Sequence, residues 1–246
     1  MRAFFILGLI GSLATGQANA ETITVAWRDK PPYHYLENGH ERGFLLLRAK
    51  RIFALANVPT VFVERPSKRI WLDFENGKTQ YCSIGWYKLP EREQVAQFSQ
   101  PLHIDPPHML LVNVPALPRI QAHQSLSSLL ADPSVVLGVV DGVSYGPYLD
   151  RLMAHSANQI ERMTLSPGGM MRMLAANRIN YMLADQADWQ FLREQRDDLS
   201  QVTEHHFSDM PAGLQRFITC SKDVTADTMA RINHAIAEEA LIPEEQ

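Results

Sequence analysis

Strand patterns and helix patterns alternate along this chain in two blocks, and this order constrains the fold more than any other feature. In the first block, apolar strand patterns lie at 23–27, 60–63 and 80–84, with helical patterns between them. The segment from 101 to 118 holds five prolines and interrupts the alternation, which restarts at 135–140. Repeated strand–helix–strand order is typical of a mostly parallel sheet with helices on its faces. The sequence therefore predicts an α/β fold with one sheet in each block.

Capping residues indicate where several helices begin and end. Gly43 precedes a pattern whose apolar positions fall on one helical face. Ser67 is predicted to cap a helix that ends at Asn76–Gly77, where glycine can adopt the left-handed conformation. In the second block, Pro147 and the pair Ser166–Pro167 are predicted to open helices.

The chain breaks a second time near 207–213, before one more strand at 214–220 and a final helix at 226–240. If this strand returns to the first block, the chain crosses twice between two lobes, and the paired crossings form a hinge. The predicted division is lobe 1 from residues 21–107 and 209–246, and lobe 2 from residues 108–208.

The first twenty residues have the pattern of a cleavable export signal. Arg2 supplies a positive charge, an apolar run follows from Phe4 to Leu13, and Ala18–Ala20 forms a small-x-small cleavage site. A membrane span needs about 20 apolar residues, so this run is too short, and no later segment is long enough. We expect cleavage after Ala20, release into a bacterial periplasm, and no insertion of the mature protein into a membrane. The alternative is a buried N-terminal element of a cytosolic protein.

Charge excludes two classes of partner. Without Arg2, 22 basic residues stand against 27 acidic ones, a formal charge of −5. This balance provides no basic surface for nucleic acid or anionic lipid. No cofactor motif occurs in the sequence, so no cofactor is expected, and the mature protein is predicted to be a monomer.

The two cysteines, Cys82 and Cys220, are far apart in sequence in a chain that is predicted to leave the reducing cytoplasm. A structural disulfide is expected in that compartment. Two buried free thiols are the alternative. A catalytic cysteine is disfavoured, because no recognisable Cys/His pattern surrounds either residue.

Several motifs, taken in order, resemble one protein family. They are Pro32–Tyr33 before Gly43–Phe44, Glu91–Glu93 before Phe98–Pro101, and Gly138–Val140 before Gly142–Tyr145. This order and spacing resemble the bacterial extracellular solute-binding proteins of family 3, which are polar amino acid receptors of ABC importers. The resemblance covers essentially the whole mature chain. It implies the type II periplasmic-binding-protein fold, in which two lobes close on a ligand.

The resemblance also implies a set of ligand-binding residues. Arg92 matches an arginine that binds the ligand α-carboxylate, for which a guanidinium is a suitable planar donor. The turn Gly142–Ser144 matches a helix N-terminus whose N–H groups and hydroxyl bind the same carboxylate. Asp185 matches the acid that holds the ligand ammonium, and Tyr33 matches an aromatic residue that covers the ligand.

Each of these residues also has a structural interpretation. Arg92 lies in a charged segment and could be a solvated surface residue. Asp185 could cap the helix that follows it. Ser144 could only shape its turn, since a glycine-containing turn before a helix is common. Tyr33 could serve only in packing.

The chain departs from the family pattern in its first lobe. Leu45 stands where the family usually has an acidic residue, and Tyr87 and Leu89 stand where it usually has threonine or serine. The bulky pair Trp86 and Tyr87 is therefore predicted to line the ligand site. These changes favour a ligand other than a standard α-amino acid, such as a different acid, an amine or a short peptide.

The sequence thus predicts a solute-binding protein without enzymatic activity. Closure of two rigid lobes on a small ligand would present the closed form to an ABC permease or a sensor receptor. The main alternative is an enzyme on the same fold, a dehydratase of a prephenate-like acid, with Glu64, His34 and His103 as candidate acids or bases. Metal capture is disfavoured, because the histidines are scattered and the methionines have the spacing of core residues.

Overall fold

The computed structural model describes residues 21–241, so the predicted export signal, residues 1–20, and the last residues, 242–246, lie outside the described part. The elements of the first half are β1 (Ile23–Trp27), β2 (Tyr35–Glu37), β3 (His40–Arg42), α1 (Phe44–Leu55), β4 (Thr60–Glu64), α2 (Ser67–Glu75), β5 (Tyr81–Tyr87), α3 (Pro90–Val95) and β6 (Ala96–Ile104).

The second half begins after a connection at 105–108. Its elements are β7 (Met109–Asn113), a 3₁₀ turn (Val114–Ala116), α4 (Leu117–Gln121), α5 (Leu126–Leu130), β8 (Val136–Val140), α6 (Pro147–Ala154), β9 (Gln159–Met163), α7 (Pro167–Ala175), β10 (Tyr181–Ala184), α8 (Gln186–Arg193), a second 3₁₀ turn (Asp197–Leu199) and β11 (Val202–His205). A second connection, 206–214, leads to β12 (Gln215–Ser221) and α9 (Ala226–Glu239).

The strands form two five-stranded sheets and one small hairpin. The first sheet has the order β4-β1-β5-β12-β6, the second has the order β11-β7-β10-β8-β9, and β2 pairs with β3. In each sheet one strand runs against the other four, namely β12 in the first and β7 in the second. Each of these is the strand that follows a connection between the sheets. The predicted α/β architecture of two mostly parallel sheets flanked by helices is confirmed; we call the half around the first sheet the first lobe and the other half the second lobe.

Gly43 is the N-cap residue of α1 and lies against the backbone of the segment that precedes the helix. Its φ is +110°, and a Cβ at this position would lie 2.4 Å from the carbonyl oxygen of Tyr33. Glycine is required there because both the backbone conformation and the close approach exclude a side chain. The N–H groups of Leu45 and Leu46 donate to the same Tyr33 oxygen at 3.1 Å. The start of α1 thereby holds the segment that leads from β1 towards the centre of the molecule.

The predicted cap of α2 was wrong. Pro66 occupies the N-cap position, Ser67 is the first helical residue, and no side chain caps this end. The reason is that Pro66 already has an extended backbone, with φ −59° and ψ 143°, so it takes the N-cap position and the helix starts one residue earlier than it would with Ser67 as the cap. The predicted end is correct, since Gly77 has φ +69° just after the helix.

The predicted disulfide is present between Cys82 and Cys220. The two residues are direct partners in the antiparallel register of β5 and β12, and both are fully buried. The bond therefore joins the returning strand to the middle of the first sheet.

Within residues 21–241, no helix has both the length and the apolar character that crossing a bilayer requires.

Candidate functional site

A cavity of about 190 Å³ lies between the two lobes, at the carboxyl ends of strands from both sheets. Residues 28–30 follow β1, residues 85–87 end β5, residues 141–145 follow β8, and Asp185 follows β10. In open α/β sheets, loops at the carboxyl ends of strands form the ligand crevice. The cavity is smaller than the roughly 300–1,000 Å³ of drug-sized ligand pockets, so it suits a small molecule.

Arg92 lies in the wall that the first lobe contributes to this cavity. Its Nη1 donates to the backbone oxygen of Tyr87 at 2.9 Å, and its guanidinium lies over the rings of Trp71, at 4.5 Å, and Trp86, at 5.2 Å. Burial lowers the pKa of Arg92 to about 10. A guanidinium has five N–H donors, so this arrangement leaves donors for a ligand. The side chain is thus held by the aromatic residues of β5 and α2 and is not simply solvated.

Arg28 also lies against the indole of Trp86. Its guanidinium carbon is 4.0 Å from the ring centre of Trp86, and its Nη1 is buried without a hydrogen-bond partner in residues 21–241. Burial, together with the positive charges of Arg216 and Arg92, lowers the pKa of Arg28 to about 9. Trp86 itself is anchored by a hydrogen bond from Nε1 to Ser83 at 2.7 Å.

Residues 142–145 form the facing wall, in the second lobe, and Gly146 completes their turn into α6. Gly142 and Gly146 have φ values of +75° and +91°, which glycine adopts without strain. The hydroxyl of Ser144 donates to Asp150 and accepts from the N–H of Gly146, and Asp150 also accepts from the N–H of Tyr145 at 2.8 Å. Ser144 therefore lines the cavity while its hydroxyl organises the first turn of α6.

Asp185 lies at the N-cap position of α8, but its side chain does not cap that helix. Its carboxylate instead receives contacts from Lys30 at 2.9 Å, Arg216 at 2.9 Å and His108 at 3.1 Å. Burial alone would raise the pKa of Asp185, but Lys30, Arg216 and the His108 hydrogen bond hold it well below its ordinary value. Asp185 is therefore an ionised carboxylate that the chain's own cations surround.

Asp188, one turn into α8, shares Lys30 with Asp185. Both of its oxygens lie 2.6 Å from Nζ of Lys30. The pKa of Asp188 is raised to about 6, mainly by burial and also by the negative charge of Asp185, while Lys30 opposes the increase. Lys30 comes from the first lobe, so both ion pairs cross the cleft.

Arg216 connects this cluster to the first connection between the lobes. Its Nε donates to Asp105 at 2.9 Å, and its Nη2 lies 2.8 Å from the other oxygen of the same carboxylate. Asp105 also accepts hydrogen bonds from the hydroxyls of Tyr87 at 2.7 Å and Tyr33 at 3.2 Å. Burial alone would raise the pKa of Asp105, but the hydrogen bond of His103 and the charge of Arg216 lower it.

The structure brings most of the predicted ligand-binding residues together. Six of the seven line the cavity: Trp86, Tyr87, Arg92, Gly142, Ser144 and Asp185. Tyr33 lies outside that lining, is almost fully buried, and packs its ring between Lys30, at 4.6 Å, and Arg216, at 4.2 Å. Its ring therefore contacts the charged cluster behind the cavity wall.

A further ion pair crosses the cleft at its rim, where Lys68 of α2 lies 2.9 Å from Asp141 after β8. Together with the pairs of Lys30 and Arg216, it places the two lobes in direct contact across the cavity. The structure is thus a closed arrangement of the lobes.

The residues considered for acid–base catalysis lie elsewhere. Glu64, His34 and His103 are absent from the cavity lining. His34 is fully buried and contacts the backbone oxygen of Arg28 through Nδ1, while His103 lies 3.3 Å from Asp105. Among residues 21–241, no group of three His, Cys, Asp or Glu side chains is placed to hold a metal ion.

Sequence reasoning missed the cations and acids of the buried cluster. These residues are Arg28, Lys30, Asp105, His108, Asp188 and Arg216. A signal was available for Arg216, because a charged residue inside the strand pattern 214–220 would be buried and would need a partner. Arg28, Lys30, Asp105 and His108 lie in connections, where no periodic pattern distinguishes a buried charge from an exposed one. Asp188 lies in the first turn of α8, where acidic residues are common because they interact favourably with the helix dipole.

Comparison with known proteins gives a family and a fold. The family model described as bacterial extracellular solute-binding proteins, family 3, matches residues 23–238. No curated protein sequence matches the chain.

Solved structures resemble the chain over most of its length. A Salmonella typhimurium periplasmic binding protein of high arginine specificity has 18% identity and a TM-score of 0.69, covering 92% of this chain and 96% of that chain. The substrate-binding protein of an amino acid ABC transporter has 15% identity and a TM-score of 0.66, with coverages of 89% and 92%. The ancestral amino acid-binding protein AncCDT-1, a precursor of cyclohexadienyl dehydratase, has 18% identity and a TM-score of 0.67, covering 89% of each chain.

These structures share the type II periplasmic-binding-protein fold of the two lobes described above. The family model spans the elements from β1 to α9, including both connections between the lobes. The chain therefore belongs to the bacterial extracellular solute-binding proteins of family 3.

Proposed function

We propose that this protein captures a small polar solute that carries a carboxylate, and that it holds the solute between its two lobes. The observation that carries the proposal is Arg92, a guanidinium in the cavity wall that pairs with no carboxylate in residues 21–241. The glycine turn of the second lobe faces the same cavity. A carboxylate between the two would accept charge-assisted hydrogen bonds, which are stronger than neutral ones.

Lobe closure is the proposed mechanism. A ligand favours the closed form only by the difference between its affinities for the closed and open forms, so groups on both lobes must contact it. Arg92 and Trp86 supply contacts from the first lobe, and the turn at Gly142–Ser144 supplies them from the second. The cross-lobe pairs of Lys30 and Lys68 stabilise the same closed form.

The proposed setting is the periplasm, where the monomeric protein delivers its solute to an ABC permease or a sensor receptor. Family membership and the resemblance to an amino acid transporter's binding protein support this setting. Mass spectrometry of the secreted protein tests the expected cleavage after Ala20. Uptake of the identified solute, measured with and without this protein, distinguishes transport from sensing.

Passive binding of a solute is favoured over an enzymatic dehydration of it. The resemblance to a dehydratase precursor keeps the enzyme as the alternative. The candidate catalytic residues Glu64, His34 and His103 do not line the cavity, which disfavours that alternative. Appearance of the ultraviolet absorbance of an aromatic product from a prephenate-like substrate, at a rate proportional to protein concentration, would support it.

The direct test is a thermal-shift screen of the purified protein against amino acids, mono- and dicarboxylates, amines and short peptides. A ligand at a hundred times its Kd adds about 2.7 kcal/mol to the free energy of unfolding. Arg92→Ala should then weaken binding of the responding ligand by about 30-fold or more, since losing one partner of a buried charge pair costs about 2–5 kcal/mol.

Arg42→Ala is the matched control, because Arg42 is an exposed arginine of the first lobe whose one acidic partner among residues 21–241 is Glu37. The control should bind like the wild type. Equal affinities of the wild type and Arg92→Ala for every responding ligand would contradict the proposed function.

A further inference from the structure

Two arginines of the cavity have no carboxylate partner in the described part of the chain, residues 21–241. Arg28 and Arg92 lie against the same indole of Trp86, at 4.0 and 5.2 Å from its ring centre. Neither makes an ion pair with a carboxylate of residues 21–241; each donates to a backbone oxygen, Arg28 to Gly85 at 3.5 Å and Arg92 to Tyr87 at 2.9 Å. Two guanidinium groups beside one ring repel each other, and each lowers its electrostatic energy when an anion binds nearby.

Of the two arginines, Arg28 has a buried donor whose hydrogen bond is not satisfied within residues 21–241. Its Nη1 is buried and has no hydrogen-bond partner among the described residues. A buried, charged donor without a partner is costly, so such groups in proteins are paired or bind a ligand. Burial and the nearby positive charges of Arg216 and Arg92 lower its pKa, which is the expected response of a cation that lacks a counter-charge.

In contrast, most carboxylates of the cavity lining already pair with cations of the protein. Asp185 and Asp188 share Nζ of Lys30 at 2.9 and 2.6 Å, and Asp141 pairs with Lys68 at 2.9 Å. Asp29, the remaining acid of the lining, is exposed.

The ammonium group of Lys30 therefore occupies the position beside Asp185 and Asp188 where the ammonium group of a ligand could otherwise bind. A ligand ammonium that approached Asp185 would meet the positive charges of Lys30 and Arg216 at that carboxylate. The cavity thus offers two unpaired cations and no unpaired buried carboxylate among residues 21–241.

We propose, on the basis of the proposed function, that the solute is a small dianion such as a short dicarboxylate. One acidic group binds Arg92, the second binds Arg28, and the ammonium of Lys30 replaces the amino group of an amino acid. The cavity of about 190 Å³ limits the solute to a small molecule. Arg28 and Lys30 are then the residues that set specificity.

The test compares pairs of ligands that differ only in the amino group. Titration calorimetry of the purified protein with succinate and aspartate, and with glutarate and glutamate, isolates the effect of the ammonium. Butyrate lacks the second acidic group of succinate and isolates the effect of that group. We expect a dicarboxylate to bind at least about tenfold more tightly than its amino analogue and than butyrate, since a hydrogen bond to a charged group is worth a factor of this order.

Two variants assign these effects to residues. Arg28→Gln should weaken dicarboxylate binding by about tenfold or more while leaving butyrate binding unchanged, and Arg28→Lys should restore only part of the loss, because lysine lacks the planar fork. Lys30→Met should reduce the preference for the dicarboxylate over its amino analogue by about tenfold. Arg42→Gln, in the exposed hairpin, is the control and should change none of these values.

The outcomes separate this inference from the proposed function. Arg92-dependent binding of an α-amino acid or a monocarboxylate, at affinity equal to or above that of every dicarboxylate, would overturn the dianion inference and leave the proposed function intact. Unchanged dicarboxylate affinity in folded Arg28→Gln would also overturn it. Failure of every carboxylate in the broader screen to bind would overturn both.

Discussion

Arg216 donates a hydrogen bond from Nη2 to Oδ2 of Asp185 across 2.9 Å, and this contact joins the returning strand of the first lobe to the second lobe. Arg216 is only 2% exposed, and its guanidinium also contacts Asp105 in the first connection. One buried cation therefore links a sheet, a connection between lobes and the wall of the cavity. Ion pairs in such positions fix geometry, and their value for stability depends on every partner being present.

Arg216→Met should lower the free energy of unfolding by about 3–5 kcal/mol, because it removes a counter-charge that the buried carboxylates of Asp105 and Asp185 share. Urea unfolding followed by circular dichroism measures the loss. Arg193→Met is the control, since Arg193 pairs with Glu204 on the surface, and it should cost less than about 1 kcal/mol.

The double variant Arg216→Met with Asp185→Asn sharpens this prediction. The effects of substitutions within one network on the free energy of unfolding are not additive. The double variant should therefore lose less unfolding free energy than the two single variants lose in sum. Strict additivity would show that the 2.9 Å contact between the two side chains carries no coupling energy.

Asp188 should make stability depend on pH in a defined direction. Its pKa in the folded protein is about 6, above the ordinary value of 3.8, so the folded protein binds a proton where the unfolded chain does not. The resulting contribution to stability is complete below pH 3.8 and is lost as the pH rises through about 6. The free energy of unfolding of the wild type, relative to Asp188→Asn, should therefore increase as the pH falls across this range.

Urea unfolding of both proteins at a series of pH values checks the sign, and carboxyl ¹³C NMR locates the midpoint. Lys30→Met should raise the pKa of Asp188 further, since Lys30 is the charge that opposes the increase. A midpoint near the ordinary value, or a difference between the two proteins that is independent of pH, would contradict the prediction.

The sequence predicts most of this fold because the main elements carry local patterns. The strands β1 and β9 and the first residues of α1, α6 and α7 lie where apolar runs, glycine and proline indicated. The strand β6 was missed because Pro101 lies within it. Proline is tolerated there because β6 is an edge strand of the first sheet, where one side has no partner.

The candidate site could be predicted only in part. The position of Arg92 followed from its spacing to Ser99 within the family pattern, and the structure places it in the cavity wall. The cluster of Lys30, Asp185 and Arg216 joins residues from three distant parts of the chain. Its existence depends on how the returning strand packs, which no local pattern encodes.

The disulfide should be a major contribution to stability. Cys82 and Cys220 are separated by 138 residues, so their bond restricts a long loop in the unfolded chain. The variant Cys82→Ala with Cys220→Ala should lose about 2–5 kcal/mol of unfolding free energy. Both sulfurs are buried, so dithiothreitol should release thiols in urea but not from the native protein. An unchanged urea midpoint in the double variant would contradict this prediction.

Gly213 sets the distance between the two connections that join the lobes. A Cβ at this position would lie 1.6 Å from the backbone oxygen of Asp105. The backbone N–H of Asp105 donates to the backbone oxygen of Leu214 at 2.8 Å, so the two connections are hydrogen-bonded next to Gly213. Gly213→Ala must therefore force the two connections apart, and it should lower the free energy of unfolding by about 1–3 kcal/mol, as overpacking does.

The displaced Asp105 should also disturb Arg216 behind the cavity, so ligand affinity should fall together with stability. Gly168→Ala is the matched control, because its added Cβ meets only side-chain atoms of Leu192, at 3.3 and 3.4 Å. The control should remain within about 1 kcal/mol of the wild type, the range of glycine-to-alanine changes in helices. Urea unfolding and calorimetric titration of both variants provide the measurement. Equal unfolding free energies and equal ligand affinities for Gly213→Ala and Gly168→Ala would contradict the prediction, because they would show that the two connections can move apart without cost.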